Sequence, residues 1–315
     1  MNPEEVESTL QKRLIEATDG KTILLPEGIF SFKRGLSFID IPNVTIKGMG
    51  MKKTILSFKE QIEGAEGLSI KNAKNISIEG LTIADSKGDA LKLHECVNVI
   101  IRDVEATWTD GAKETNGAYG LYPVSCQKVL MEKCEASFAM DAGIYIGQSR
   151  DVVIRNNYAH HNVAGIEIEN SFYADVYDNV ATHNTGGILV FDLPDLPQQG
   201  GHHVRVFNNK AIDNDTDNFA PEGNIVGEVP RGTGIIIMAN SNVEVFDNDI
   251  SGNGTVNLSI VSGDETEDEN YYPHPKFIQV HGNRFGEGGF DPDIDKAMAG
   301  ILFEVSEGDM PDIFW

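Results

Sequence analysis

The sequence lacks several features that would mark other classes of protein. It has three cysteines in 315 residues, with no Cys-x-x-Cys pair and no Cys/His spacing typical of a metal site. It contains no run of roughly 18 or more apolar residues, which excludes a helical membrane span. Lys and Arg number 25 against 49 Asp and Glu, and the formal net charge of −24 repels nucleic acids and anionic membranes.

A short repeat is present instead. Ile144, Ile166 and Ile188 recur at a spacing of 22 residues, each after a glycine and each two positions before a second apolar residue. A repeat this short cannot bury its own apolar face, so neighbouring copies must stack on one another. The spacing therefore predicts a solenoid.

Each repeat predicts three short strands and no helix. Apolar residues alternate in Val152-Val153-Ile154-Arg155 and again in residues 204–207, as expected of strands with one buried face. The pair Asn156-Asn157 then marks a tight turn, where Asn tolerates left-handed backbone angles and can bond its copy in the next coil. The pattern predicts an all-β fold, a single-stranded parallel β-helix of about nine or ten coils.

The N-terminal residues follow a different period. Val6, Leu10, Leu14 and Ile15 recur at helical spacing. We expect residues 1–20 to form an N-terminal capping helix, residues 21–285 the parallel β-helix and residues 286–315 a C-terminal cap or tail, within one domain. Solenoids need caps over their apolar ends and unpaired strand edges. A helix that binds a partner is the alternative.

The repeat also predicts which side chains line up on one sheet face. Carboxylates and aromatic rings on a rigid strip suit a sugar chain, since rings stack on sugar faces and acids and amides bond hydroxyls. The alternative is an ordinary solvated face on which Tyr is favoured by its β-propensity. The outward position after Ile144 aligns these residues: Lys92, Tyr122, Tyr145, Glu167, Leu189 and Ile236.

The turn before this face contributes His161 and its copy His183. A His near a Tyr could abstract a sugar C5 proton while a Lys neutralises the carboxylate, as a lyase or epimerase requires; stacked turn residues without a catalytic role are the alternative. The catalytic hypothesis names Tyr145, Glu167, His161 and Lys92, with the first three converging within about one sugar's width. The predicted substrate-binding residues are Tyr119, Tyr122, Asp141, Gln148, Asn170, His183, Asp192 and Arg231.

Two long loops, residues 193–203 and 213–234, interrupt the repeat on one flank and are typical of a binding face. Acidic residues there could provide oxygen ligands for Ca²⁺, although no EF-hand or nonapeptide calcium repeat occurs. The candidate metal ligands are Asp192, Asp195 and Asp215. The alternative is a pair of rim loops packed through Phe219, Ile225 and Val226.

Two further features are predicted to be structural. The acidic run at residues 263–269 is expected to be a solvated loop, with Ca²⁺ binding as the alternative. Cys96 and Cys126 fall at the same repeat position one coil apart. A coil spacing of about 4.8 Å would permit a disulfide without demanding it, and stacked free thiols are favoured.

Residues 117–123, 141–149 and 186–197 resemble the right-handed parallel β-helix superfamily of pectate-lyase-like, carbohydrate-active proteins, and more narrowly the bacterial parallel β-helix repeat-containing proteins. The resemblance covers roughly residues 20–285. It implies a right-handed coil, a polysaccharide or oligosaccharide partner, and a periplasmic or extracellular location. Met1-Asn2-Pro3-Glu4-Glu5-Val6 shows no signal peptide, so export presumes a replaced start, and a cytoplasmic location is the alternative.

The resemblance implies two functions of different class. One is a lyase or C5-epimerase acting on an acidic polysaccharide through a solvent-facing groove; the other is a non-catalytic glycan-binding or structural module. The alginate epimerase branch carries an Asp-Pro-His motif. Here the comparable stretch reads Tyr119-Gly120-Leu121-Tyr122-Pro123-Val124, without the Asp or the His, which argues against an epimerase.

Overall fold

A computed structural model describes residues 2–315, and the chain winds into a parallel β-solenoid of about 9 turns. Two α-helices, α1 Pro3–Ile15 and α2 Ala297–Val305, and one 3₁₀ turn, Ile225–Glu228, accompany the strands. The strands, in chain order, are β1 Thr22–Leu24, β2 Gly28–Ser31, β3 Arg34–Ile39, β4 Thr45–Lys47, β5 Thr54–Ser57, β6 Glu63–Lys71, β7 Lys74–Ala84, β8 Leu91–His94, β9 Val97–Thr107, β10 Tyr119–Val124, β11 Gln127–Glu132, β12 Glu135–Ser137, β13 Ala142–Gly147, β14 Arg150–Arg155, β15 Tyr158–His160, β16 Ala164–Glu169, β17 Phe172–Tyr177, β18 Val180–Thr182, β19 Gly186–Phe191, β20 His202–Phe207, β21 Lys210–Ile212, β22 Thr233–Met238, β23 Ser241–Phe246, β24 Asp249–Ser251, β25 Val256–Val261, β26 Gln279–His281, β27 Arg284–Phe285 and β28 Ile313–Phe314.

The strands form two hydrogen-bonded sheets. One strand from each coil enters a ten-stranded sheet that runs from β3 to β28. The other strands belong to an eighteen-stranded sheet that covers two faces of the coil, because β7 continues through a corner at Gly80 (φ 64°) and pairs with both β4 and β5. The predicted all-β parallel solenoid is confirmed.

The 22-residue period sets the register of the ten-stranded sheet. Ile144 lies opposite Ile166, which lies opposite Ile188. All three side chains are fully buried in the core inside the coil. Each coil therefore buries its apolar face against the copies above and below it.

The two residues of each turn pair have different roles, and both roles were predicted for Asn. The first residue takes the left-handed backbone, as in Asn156 (φ 56°) and Asp178 (φ 55°). The second builds a buried ladder, in which the Asn157 amide donates to Asn179 Oδ1 at 3.0 Å and the Asn179 amide donates to Asn209 Oδ1 at 3.0 Å. The buried Asn amides of the turn are therefore hydrogen-bonded inside the core.

Helix α1 covers the first coils. Val6, Leu10 and Leu14 are buried as predicted, but Ile15 is 62% exposed because it falls on the outer side of the last turn. The Gln11 side chain accepts from Ser37 N and donates to Ser37 O, both at 2.8 Å. These bonds satisfy backbone groups at the open edge of β3, as a cap requires.

The cysteines and the acidic loop also match the sequence predictions. No helix in residues 2–315 is long and apolar enough to cross a membrane. The three cysteines are buried and free, and Cys96 N lies 3.4 Å from Cys126 Sγ, which confirms stacked thiols one coil apart. The side chains of Asp264, Glu265 and Glu267 are exposed, as expected of a solvated loop.

Candidate active site

The predicted alignment on the outer face of the ten-stranded sheet is confirmed. Lys92 lies opposite Tyr122, and Tyr145 lies opposite Glu167. Leu121 opposite Ile144 joins these two pairs into one column, which continues to Leu189. The repeat therefore placed the outward residues at the correct level of each coil.

Loop residues cover the middle of this face, so the prediction of a solvent-facing groove was wrong there. Leu189 and Ile236 are buried under Leu193, Val226 and Val229 of the two long loops, in a second apolar cluster outside the coil. Tyr145 is 4% exposed and Glu167 2%. The physical reason is that the outward residues of β19 and β22 are themselves apolar and must be removed from water. Of the residues predicted to join the loops, Phe219 and Val226 pack in this cluster, whereas Ile225 is 54% exposed.

An acid–tyrosine cluster lies at the margin of this cover. Its three rings touch, with centroids 4.4 Å apart for Tyr119–Tyr122 and for Tyr119–Tyr145 and 4.9 Å for Tyr122–Tyr145. The Tyr145 hydroxyl donates to Glu169 Oε1 at 2.5 Å. The cluster comprises Tyr119, Tyr122, Tyr145, Asp141, Glu167 and Glu169.

Burial raises the pKa of every carboxyl in the cluster. Desolvation raises the pKa of Glu167 well above its usual range, and repulsion by Asp141 and Glu169 adds to the rise. Burial, with repulsion by Glu169, raises the pKa of Asp141 to about 7, although a hydrogen bond from Tyr119 opposes the rise. Burial also raises the pKa of Glu169, against the effect of the Tyr145 hydrogen bond. Asp141 and Glu167 therefore hold protons near neutral pH.

Access to the cluster is unequal. Asp141 and Glu169 keep 8% and 7% of their surface exposed, whereas Glu167 is sealed. Asp141 Oδ1 and Glu167 Oε2 have no hydrogen-bond partner within residues 2–315. Both oxygens are buried, and an unpaired buried carboxylate oxygen is costly, which favours the protonated form of each acid.

Lys92 lies at the N-terminal end of the cluster, with 28% of its side chain exposed. Its Nζ is 3.2 Å from Asp89 Oδ2, 3.6 Å from Glu66 Oε1 and 4.9 Å from the centre of the Tyr122 ring. Burial raises the pKa of Asp89, and Lys92 opposes that rise. The predicted cation is therefore present beside the tyrosines, but two carboxylates already compensate its charge.

His161 belongs to a separate stack in the turn before β16. Its ring lies 5.3 Å from Phe138 and 5.4 Å from His183, and its Nδ1 is 2.8 Å from His160 Nδ1. Burial, with repulsion by His160 and His183, lowers the pKa of His161. The structure thus brings Tyr145 and Glu167 together on adjacent strands and leaves His161 among aromatic neighbours of the turn.

Several residues predicted to bind sugar make contacts with or within the loops. Asn170 accepts from Leu193 N and donates to Leu193 O, both at 2.8 Å, and so fastens the start of loop 193–203. Asp192 accepts from Gly201 N at 2.7 Å in the same loop. Arg231 pairs with Asp217 and Asp291. Gln148 occupies a left-handed turn position at φ 48° after β13. Of the eight predicted binding residues, Tyr119, Tyr122 and Asp141 are the ones in the cluster.

The predicted calcium ligands do not form a site. Within residues 2–315 no group of three or more His, Cys, Asp or Glu side chains could hold a metal ion. Asp215 pairs with His183 Nδ1 at 2.9 Å, and Asp195 donates its backbone N–H to Asp268. Asp192 is bonded within its own loop, and the metal assignment to Asp192, Asp195 and Asp215 was wrong because the three carboxylates do not form one group.

Two acids of the site were not assigned a role from the sequence. Glu169 stands two residues after Glu167 on the same strand face, a spacing that places both carboxylates on one side. Asp89 precedes Leu91, which pairs with Leu121, so Asp89 lies level with Tyr119. Both positions could be read from the strand register, but the register alone does not show that the two acids are buried.

Comparison with known proteins gives a family and several relatives. The family model described as "Right handed beta helix region" matches residues 28–198 and 66–267. The preneck appendage protein of Bacillus phage PZA is 24% identical over 229 residues, which are 62% of this chain and 26% of that protein. The homologous region is therefore about a quarter of the length of this relative.

Two solved structures share the architecture. The A-module of mannuronan C-5 epimerase AlgE4 from Azotobacter vinelandii has a TM-score of 0.66 at 19% identity, over 87% of this chain and 81% of that one. An exopolygalacturonase from Thermotoga maritima has a TM-score of 0.59 at 16% identity, over 90% of this chain and 84% of that one. At these identities the likeness concerns the fold.

Proposed function

This chain belongs to the right-handed β-helix family, and on that premise we propose that it is a carbohydrate-active enzyme that cleaves glycosidic bonds at the acid–tyrosine cluster. The observation that carries the proposal is the pair Asp141 and Glu169, two carboxyls with raised pKa values that keep some access to solvent. A mannuronan epimerase and an exopolygalacturonase of the same fold support a carbohydrate substrate.

The chemistry is general acid–base catalysis. Asp141, with a pKa of about 7, retains a proton at neutral pH and gives it to the glycosidic oxygen as the bond to the anomeric carbon breaks. The Tyr145 hydroxyl favours the ionised form of Glu169, which takes a proton from the water that adds to the anomeric carbon. Positioned proton transfer of this kind contributes typically about 10²–10⁴-fold in rate.

The electrostatics favour a neutral sugar at this site. A uronate carboxylate would meet ionised Glu169 and a molecule of net charge −24. Lys92, the cation beside the tyrosines, is already shared by Asp89 and Glu66. The half-buried rings of Tyr119 and Tyr122 provide apolar surface on which a pyranose face can stack.

A lyase or C5-epimerase acting on an acidic polysaccharide is the second candidate. It is supported by Lys92 over the Tyr122 ring, a cation in position to neutralise a uronate. Against it, burial raises the pKa of Tyr119, Tyr122 and Tyr145, with nearby carboxylates adding to the rise. These hydroxyls therefore hold their protons and serve as acids rather than as the base that C5 abstraction needs.

One experiment separates the candidates. Incubation with neutral polysaccharides and with polyuronates is followed by assays for new reducing ends and for the ultraviolet absorbance of unsaturated product. We expect hydrolysis of a neutral polysaccharide, reduced at least about 100-fold in Asp141→Asn and in Glu169→Gln, with Asp264→Asn in the exposed loop as the unchanged control. Unsaturated product from a polyuronate would establish the lyase instead. Glycan binding without any product would establish the non-catalytic module.

We also propose an exported location, periplasmic or extracellular. The reason is the substrate class, because long polysaccharides of surfaces and biomass lie outside the cytoplasm. Fractionation of the native host, followed by immunodetection of this chain, tests the location.

A further inference from the structure

A second groove lies on the eighteen-stranded sheet, on different strands from the acid–tyrosine cluster. It encloses about 510 Å³ along β17, β20, β23 and the segment that leads into β26. Tyr173 and Phe277 stand on its rim, 50% and 71% exposed. Its floor is built from outward residues of four successive coils: Asp175, Arg205, Glu244 and Gln279.

The two rim rings occupy an unusual backbone position. Tyr173 has φ 55° and Phe277 φ 57°, in the left-handed region that bulky side chains disfavour. The register places both in one column of left-handed corner residues, in which the other coils carry polar side chains. Those other members include Asn75, Asn98, Lys128, Asp151, His203 and Asn242, and the His203 ring lies 5.0 Å from the Tyr173 ring within the groove. The exposed Tyr173 and Phe277 rings therefore stand in a column where Asn is the commonest residue.

A second apolar ridge borders the floor. Tyr177, Phe207 and Phe246 lie two residues beyond the floor residues on the same strand faces, and neighbouring rings stack at 4.8 Å. The polar floor thus runs along the solenoid axis between aromatic surfaces on both sides. Tyr173 and Phe277 are three coil spacings apart, about 14 Å at about 4.8 Å per coil. A single pyranose cannot reach both rings, whereas a short chain can.

We propose that this groove binds a neutral oligosaccharide, with sugar faces on the Tyr173 and Phe277 rings and hydroxyls on the polar floor. Rings that flank amide and carboxylate groups match the alternating apolar and polar surfaces of a sugar chain. The cation of the floor is already paired, since Arg205 holds Asp175 through two bonds of 2.7 Å, and Glu244 lies 3.0 Å from His281 Nε2. Arg205 is therefore not free to hold an anionic ligand, while carboxylate oxygens can still accept from hydroxyls.

The groove is independent of the cleavage proposed above, because none of its residues belongs to the acid–tyrosine cluster. Binding is best measured on full-length Glu169→Gln protein, so that a bound glycan is not cleaved. The probes are neutral β-1,4-linked gluco-, manno- and xylo-oligosaccharides, with oligomannuronate and oligogalacturonate as anionic probes, screened on an array and then titrated by calorimetry. Tyr173→Asn with Phe277→Asn removes both rings, and Lys128→Asn in the same column outside the groove is the matched control.

We expect a neutral oligosaccharide to bind, the double substitution to weaken that binding at least tenfold, and the control to leave it unchanged. The double variant should also unfold at a higher temperature, since Asn suits the left-handed position. If the two rings served only in packing, their removal would lower the unfolding temperature instead. The proposal is overturned if no neutral probe binds, if only anionic probes bind, or if the double variant binds with the wild-type affinity. None of these results bears on cleavage at Asp141.

Discussion

Glu167 is flanked by two other acids in a space from which water is excluded. It faces Tyr145 on one neighbouring strand and Leu189 on the other, and Asp141 and Glu169 both repel its charge. An ionised carboxylate there lacks the solvation and the cation that would stabilise it, so the neutral acid is the stable form. Glu167 consequently costs stability at any pH where the unfolded chain would ionise it.

We predict that Glu167→Gln stabilises the protein at pH 8 but not at pH 4. Because folding raises the pKa of Glu167, the folded state binds more protons than the unfolded chain at pH values above 4.5. Stability is then full below that pH and is lost as the pH rises through the folded pKa. Gln cannot ionise, so its free energy of unfolding should exceed the wild-type value by about 1–3 kcal/mol at pH 8. Urea denaturation at both pH values measures this, with exposed Glu265→Gln as the control; equal differences at both would contradict it.

We predict that the rate of cleavage falls as the pH rises through about 7, where Asp141 loses the proton it must donate. Tyr119→Phe removes the hydrogen bond that opposes the raised pKa of Asp141. The alkaline limb of kcat against pH should then move up by roughly half to one pH unit. Tyr272→Phe, on an exposed loop residue, serves as the control. An alkaline limb that stays in place in Tyr119→Phe would mean that Asp141 is not the acid.

At the scale of elements, the sequence predicted the strands of the coil but not the packing of the two long loops on its outer face. The positions of Ile144, Ile166 and Ile188 fix the strand register, because shifting a strand by one residue would turn its Ile out of the core. The two long loops follow no sequence period, so no residue spacing predicts where they pack on the sheet. A signal was nevertheless present, since outward Leu189 and Ile236 are apolar and imply that something lies on them.

We predict that the Asn ladder is a main source of coil stability. Asn179 donates to Ile154 O and Asn209 Oδ1 and accepts from Asn157, all at 3.0 Å and all buried. Asn179→Ala should lower the free energy of unfolding by about 2–4 kcal/mol, because it leaves several buried groups unpaired. Asp178→Asn is the matched control, expected within about 0.5 kcal/mol, since Asn156 holds the same left-handed position in the neighbouring coil. Equal losses in the two variants would contradict a role for the ladder.

At the scale of the whole molecule, two effects of charge oppose each other. A formal net charge of −24 repels itself and destabilises the compact state. Ion pairs such as Arg205–Asp175 and Arg34–Glu63 stabilise it, but they lie largely exposed, where pairs contribute roughly 0–1 kcal/mol. Salt screens both effects. Since unpaired acids greatly outnumber bases, repulsion should be the larger of the two.

We therefore predict that the unfolding temperature rises by a few degrees between about 0.01 M and 0.15 M NaCl, as the Debye length falls from about 30 Å to about 8 Å. Glu265→Gln with Glu267→Gln, in the exposed acidic loop, should raise the unfolding temperature at low salt and shrink the rise on adding salt. Substitution of exposed Lys128 by Gln should do the opposite on both counts, because it adds to the net negative charge. Calorimetric scans of the three proteins at both salt concentrations decide the matter. A fall in unfolding temperature on adding salt would show that the exposed ion pairs outweigh repulsion, and the acidic surface would then have to be explained by its ligands rather than by a tolerated cost.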